Sequence, residues 1–158
     1  LMGIANKKNA LVLNTGNKTE TAIGYCTMYG DMCGALAVIS DLNKTEVYNV
    51  AKWFNEKCGK EIIPDSTITK EPSAELKENQ VDPFDYKVIS PLIDNIITSN
   101  KNPSELSELG FDGILSTSML NKVRNSEYKR RQSPPGIRVS SKAFGHGRRL
   151  PIVNKYRD

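Results

Sequence analysis

Leu11-Val12-Leu13-Asn14-Thr15-Gly16-Asn17-Lys18-Thr19-Glu20, followed closely by Tyr29-Gly30-Asp31, reads as a short buried strand that runs into a polar turn. The apolar run Ala10–Asn14 is bounded by turn residues, which is a strand signal, and Gly16 ends it. The turn carries a hydroxyl, an amide, an ammonium and a carboxylate within a few residues. In an open α/β sheet, ligands bind just outside the carboxyl ends of the strands. The stretch therefore predicts an α/β fold, and it marks where a nucleotide or a metal–phosphate group would sit.

Working outward, Leu1 to Lys8 has the pattern of the last turns of a helix. Ala35–Ile39 is a second apolar run, a strand or part of a loop. Asn43 is a good N-cap with Glu46 three residues on, a capping-box pair. Val47, Val50, Ala51 and Phe54 follow at helical spacing, and Gly59 is placed as a stop, so 44–57 is expected to be helix. Residues 64–85 hold Pro64, Pro72 and Pro83 among many charges and are expected to be irregular; segments of that length are usually functional or disordered. Ser90-Pro91 suggests a helix over 91–98 with proline at its first position. Ser104 opens a short helix ending at Gly110. Asp112 begins another, with Ile114, Leu115, Met119, Leu120 and Val123 on one face. Ser133-Pro134-Pro135-Gly136 cannot continue a helix, and the tail beyond it is expected to be extended.

At 158 residues the chain is about one domain by length. It has no apolar run long enough for a transmembrane helix and no signal-peptide pattern in its first residues. Cys26, Cys33 and Cys58 match no common zinc spacing and read as reduced thiols of a cytoplasmic protein. The net charge of +4 is unevenly placed. Residues 1–120 hold 11 basic and 16 acidic side chains, a net of −5, and residues 121–158 hold 11 basic and 2 acidic, a net of +9. Such a tail attracts an anion: a polynucleotide, a small phosphate ligand or an acidic surface.

Each candidate residue has two readings. Glu20 beside a phosphate-binding turn suits a magnesium ligand, since Mg²⁺ is held by one or two carboxylates plus substrate phosphates; alternatively Asn17, Thr19 and Glu20 are a capped helix start on the surface. Thr15 could donate to a nucleotide. Lys44, in the first turn of the 44–57 helix, opposes the helix dipole; a phosphate would relieve that conflict, or the lysine is simply solvated. Ser73 could bind a phosphate or cap a helix begun by Ala74-Glu75-Leu76. Tyr128-Lys129-Arg130-Arg131 could clamp an anion or be an ordinary basic helix end. His146, the only histidine, has no visible partner.

Taken together, Thr15-Gly16-Asn17-Lys18-Thr19-Glu20, Tyr29-Gly30-Asp31, Asn43-Lys44-Thr45, Pro72-Ser73-Ala74-Glu75-Leu76, Glu127-Tyr128-Lys129-Arg130-Arg131-Gln132 and Ala143-Phe144-Gly145 with Arg148-Arg149-Leu150-Pro151-Ile152 resemble the NAD synthetases. The order and spacing of these blocks fit across the chain. The tail after Gln132 resembles the glutamine-dependent form, in which an amidase domain feeds ammonia to the synthetase domain.

The resemblance implies an adenine-nucleotide α-hydrolase-like (ATP-pyrophosphatase) fold, a parallel sheet flanked by helices. It implies the C-terminal half of a synthetase domain over 1–132 and a basic extended tail over 133–158. The implied reaction is amidation of deamido-NAD: its nicotinate carboxylate attacks the α-phosphate of ATP, and ammonia then displaces AMP. By the resemblance Thr15, Lys44 and Ser73 contact ATP, Glu20 meets Mg²⁺ and lies near the dinucleotide, and Tyr128 and Lys129 hold deamido-NAD. Short, ammonia-using members carry a lysine and an aspartate in the strip aligned with Met28 and Ala35, where this chain differs; Tyr25, Cys26, Thr27 and Met28 would still line the dinucleotide. The implied catalytic residues are not assigned. The family's Ser-Gly-Gly-x-Asp-Ser phosphate loop and the amidase domain are not among these residues, so the chain is expected to be inactive alone. A homo-oligomer is expected, with no nucleic-acid or membrane partner. The rival readings are another ATP-pyrophosphatase-type ligase, such as a GMP synthetase or tRNA-thiolating enzyme, and a nucleic-acid-binding module built on the tail.

Overall fold

The computed structural model describes residues 1–145 and 147–153. Eight helices and two short strands follow in the order α1 (Met2–Lys8), β1 (Leu13–Asn14), α2 (Lys18–Ile23), β2 (Leu36–Ala37), α3 (Lys44–Cys58), α4 (Asp65–Thr69), α5 (Tyr86–Ile97), α6 (Pro103–Glu108), α7 (Gly113–Asn125) and α8 (Glu127–Arg130) among the described residues. The strands pair in parallel, Leu13 opposite Leu36 and Asn14 opposite Ala37. The result is an α/β fold, a small parallel sheet flanked by helices.

α5 organises the core. Its apolar residues recur at helical spacing, and Ile89, Leu92, Ile93, Ile96 and Ile97 are buried against Ala22 and Ile23 of α2, Leu106 of α6, and Met119, Leu120 and Val123 of α7. The helix starts five residues before the expected position. Asp85 is its N-cap, accepting from the Lys87 N–H, and Pro91 lies inside it. An interior proline removes one backbone hydrogen bond; burying this apolar stripe, worth about 1.5–3 kcal/mol per large side chain, outweighs that loss.

Capping sets the other helix starts. α2, α3 and α6 open with complete capping boxes, Asn17/Glu20, Asn43/Glu46 and Asn102/Glu105. α3 matches its expected span within one residue and ends at Gly59 in the left-handed conformation. α7 starts after the N-cap Asp112, as expected, but Ile114 is 84% exposed and off the buried face. The helix ends at Asn125; the basic block lies on a separate short helix, α8. The 64–85 segment contains the single-turn helix α4. No helix forms at 74–76; Ser73 Oγ accepts the Glu75 N–H at 3.0 Å instead.

The opening strand is not buried as expected. Leu11 and Leu13 are exposed and Asn14 is the inward residue. The Asn14 amide donates to the carbonyls of Asp31 (2.6 Å) and Cys33 (3.3 Å), and its oxygen accepts the Gly16 N–H (2.9 Å). Side chains alternate along a strand, so fixing Asn14 inward turns Leu13 outward.

Residues 133–145 and 147–153 pack back onto the body. Ala37 bridges Gly136 in parallel, with Ala37 N–H on the Pro135 carbonyl (2.9 Å) and Ile137 N–H on the Ala37 carbonyl (3.4 Å). Phe144 and Leu150 lie against the core, and the Arg130 guanidinium stacks 4.7 Å from the Phe144 ring centroid. His146 lies outside the described residues.

Candidate nucleotide site

Three helices converge at the polar turn. Lys18, Thr19 and Asn17 are buried, so the capped start of α2 is no surface feature. The Lys18 ammonium reaches the Asp94 carboxylate on α5 at 2.7 Å, and Asp94 also accepts from the Asn43 amide. Thr19 Oγ1 shares a hydrogen bond with Ser90 Oγ (3.2 Å) and accepts the Lys44 N–H (3.2 Å). The first turns of α2 and α3 are thereby locked against each other and against α5.

This lock brings Glu20 and Lys44 together. Lys44 Nζ donates to Glu20 Oε1 at 3.0 Å, and Glu20 Oε2 accepts the Asn17 N–H at 3.3 Å. The carboxylate relieves the conflict between Lys44 and the α3 dipole. The ammonium also lies 5.4 Å from the Tyr86 ring centroid and 5.9 Å from that of Tyr48. Asp82 accepts from the hydroxyls of both Tyr25 (3.0 Å) and Tyr86 (2.8 Å). Burial first, and then the bond to Asp82, push both phenols above their ordinary range. Neither is a ready proton donor at neutral pH.

Beside Glu20 opens a cavity of about 520 Å³. Glu20 and Cys26 line it together with Arg138, Phe144 and Arg149 of the tail. Burial raises the Cys26 thiol against the opposing pull of Lys129, so it lacks the lowered pKa of a reactive thiolate. Lys129 donates to the carbonyls of Gly24 (2.8 Å) and Cys26 (2.6 Å), pinning the exit of α2.

The expected residues are thus partly gathered. Glu20 and Lys44 are bonded, Cys26 faces the same cavity, and Tyr25 and Lys129 brace its surroundings. Thr15, Thr27 and Tyr128 are exposed. Met28 lines a neighbouring hollow with Tyr29 and Gln132, and Ser73 lines another with Lys70 and Glu75. The sequence marks Thr19 only as part of a capped helix start and gives no sign of Asp82 or Tyr86, because their roles depend on contacts between distant elements. Among the described residues, no three His, Cys, Asp or Glu side chains gather around a metal position. Glu20 fits as a single carboxylate ligand to a cation held otherwise by phosphate and water. The tail arginines are used internally: Arg131 bonds the Leu150 carbonyl, Arg148 that of Ile97 and Arg149 that of Gly145.

A parallel strand running into a polar turn, an ammonium–carboxylate pair between two helix starts and an adjoining cavity define an α/β protein with a candidate ligand site at the strand ends. The model of the NAD synthase family matches residues 1–133, and the chain belongs to that family. It is 44% identical over 159 residues to the glutamine-dependent NAD(+) synthetase of Synechocystis, covering 99% of this chain and 28% of that protein. It is 42% identical over 161 residues to that of Thermotoga maritima, covering 100% and 28%. The chain thus spans about 28% of the length of these curated relatives. The crystal structure of a glutamine-dependent NAD(+) synthetase from Cytophaga hutchinsonii shares the fold, with a TM-score of 0.76 at 19% identity over 98% of this chain and 26% of that one. No described helix is long and apolar enough to cross a membrane.

Proposed function

We propose that these residues are part of a cytoplasmic glutamine-dependent NAD synthetase, with 1–132 the C-terminal part of its synthetase domain and 133–158 its basic tail. The nicotinate carboxylate of deamido-NAD attacks the α-phosphorus of ATP, the bond to the pyrophosphate oxygen breaks, and an acyl-adenylate forms. Ammonia, released from glutamine by an amidase domain, adds to the acyl carbon and displaces AMP. The observation that carries this reading is the Glu20–Lys44 pair, which puts an ammonium and a carboxylate between two helix starts in a chain of this family.

Each residue has a task in this scheme. Thr15, Lys44 and Ser73 bind ATP; Lys44 exchanges its carboxylate partner for phosphate oxygens as negative charge spreads at phosphorus. Glu20 would hold a Mg²⁺ ion, which would supply positive charge to the phosphate oxygens. Tyr25, Cys26, Thr27 and Met28 line the dinucleotide with Glu20, Tyr128 and Lys129. Lys129 contributes by holding the Gly24–Cys26 backbone in place. The enzyme works as a homo-oligomer. The phosphate loop and most of the sheet belong to the rest of the parent protein, so the 158 residues alone are inactive.

The test is a mass balance in the full-length parent enzyme. Supplied with ATP, deamido-NAD and glutamine, it should yield NAD, AMP and pyrophosphate in equal amounts. Without an ammonia source it should still exchange labelled pyrophosphate into ATP, provided deamido-NAD is present. Exchange independent of deamido-NAD, or ADP as the product, overturns the scheme.

A further inference from the structure

We propose that Asp41 is a positioning residue that latches the basic tail across the Glu20 cavity and so sets where Arg138 stands. The proposal rests on the nucleotide-site reading above. Asp41 is only 4% exposed, and a buried carboxylate is costly unless its oxygens are satisfied. The tail satisfies them: Oδ2 accepts the N–H groups of Val139 (2.7 Å) and Ser140 (2.6 Å), and Oδ1 accepts the Ser140 hydroxyl (2.8 Å). Hydrogen bonds to a carboxylate are among the stronger ones, and here they join positions almost a hundred residues apart.

The consequence reaches the cavity through Arg138. Its guanidinium donates to the carbonyls of Ser140 (3.1 Å) and Ser141 (2.6 Å), closing a turn over 138–141. That turn is wound onto the Asp41 carboxylate, so the carboxylate fixes the turn and the turn fixes the guanidinium. Arg138 lines the same cavity as Glu20 and Asp31. An anionic ligand entering between those carboxylates needs a cation held in place, and arginine's planar fork suits phosphate oxygens. Asp41 also lies two residues before Asn43, the cap of α3. Leu42 between them accepts the Lys18 N–H at 2.8 Å. The latch therefore ties the tail to the segment that carries Lys44.

The experiment compares Asp41→Ala, Asp41→Asn and Ser140→Ala in the full-length parent enzyme by two readouts. Limited trypsin digestion reports tail release, as cleavage after Arg138 or Lys142. Steady-state kinetics report KM against kcat for ATP and deamido-NAD. In Asp41→Ala, tail cleavage should rise about tenfold and KM for one of the two substrates about tenfold, with kcat within about twofold. Ser140→Ala, which keeps both backbone bonds, should show a smaller rise in both. If Asp41→Ala does not fold, Asp41→Asn and Ser140→Ala decide. Cleavage at the wild-type rate overturns the latch. Faster cleavage with unchanged KM overturns its role in the site. If the wild-type parent makes no NAD, the functional reading fails, and the cleavage rates alone judge the latch.

Discussion

Lys18 and Asp94 form an ion pair at 2.7 Å in which the ammonium is almost completely buried. It ties the first turn of α2, which also carries Glu20, to α5. Removing one partner of a buried pair leaves an uncompensated charge, which costs about 3–5 kcal/mol. Asp94 is partly exposed, so Asp94→Ala should fall near the lower end of that range, read as a shift of the urea midpoint in the full-length protein. Lys18→Met combined with Asp94→Leu should recover most of the loss. A double variant as unstable as Asp94→Ala would show that the Asn43–Asp94 bond, not the ion pair, carries the cost.

Gly24 ends α2 with φ +71°, and a Cβ there would overlap the Ser126 hydroxyl and come within 2.8 Å of its Cβ. Gly24→Ala should therefore cost more than about 2 kcal/mol, combining left-handed backbone strain with overpacking. Adding Ser126→Gly should return the packing part and leave the strain. No recovery in the double variant would mean that the contact between α2 and the start of α8 does not limit this position.

The local features of the fold were legible because they are written locally. Asn43, Glu46 and Gly59 define α3 almost to the residue. Asp112 marks the start of α7 in the same way. α5 was misplaced because Ser90-Pro91 imitates a helix start, while the true signal was Asp85 followed by an apolar stripe. The orientation of β1 was not legible, since an apolar run does not reveal that Asn14 will be held inward by carbonyls from 31 and 33. The site divides similarly. Glu20 and Lys44 stand in recognisable sequence blocks, but their bond, the Asp82–Tyr86 contact and the Asp41 latch join distant segments and emerge only from packing.

Tyr86 makes stability depend on alkaline pH. Its phenol is buried on Asp82 and held above the ordinary value, whereas in the unfolded chain it titrates near 10. A raised folded pKa gives stabilisation that is fully present below about pH 10 and is lost as pH rises beyond it. Tyr86→Phe should be less stable than wild type at pH 8 by about 1.5–3 kcal/mol, the loss of a hydrogen bond to a charged acceptor. The gap should narrow above pH 10. A gap of constant size from pH 8 to 11, measured by denaturant titration, would place the Tyr86 hydroxyl in water rather than on Asp82.

Glu20→Gln separates structure from chemistry at the candidate site. Glutamine serves in a capping box as well as glutamate does, so its carbonyl can keep the Asn17 N–H bond at the start of α2. What it loses is the charge facing Lys44 at 3.0 Å. Both side chains of this ion pair are about one-fifth exposed, so its loss should cost about 1 kcal/mol, the upper end for a solvated pair, and leave the full-length enzyme folded. The proposed metal ligand and phosphate partner would be gone, and deamido-NAD-dependent pyrophosphate exchange should fall by about a hundredfold or more. Raising Mg²⁺ should not restore it, because the missing charge belongs to the protein. Lys44→Met should act differently, weakening ATP binding while leaving the Mg²⁺ dependence in place. An unchanged exchange rate in a stable Glu20→Gln enzyme would assign the pair to helix docking alone and move the nucleotide elsewhere.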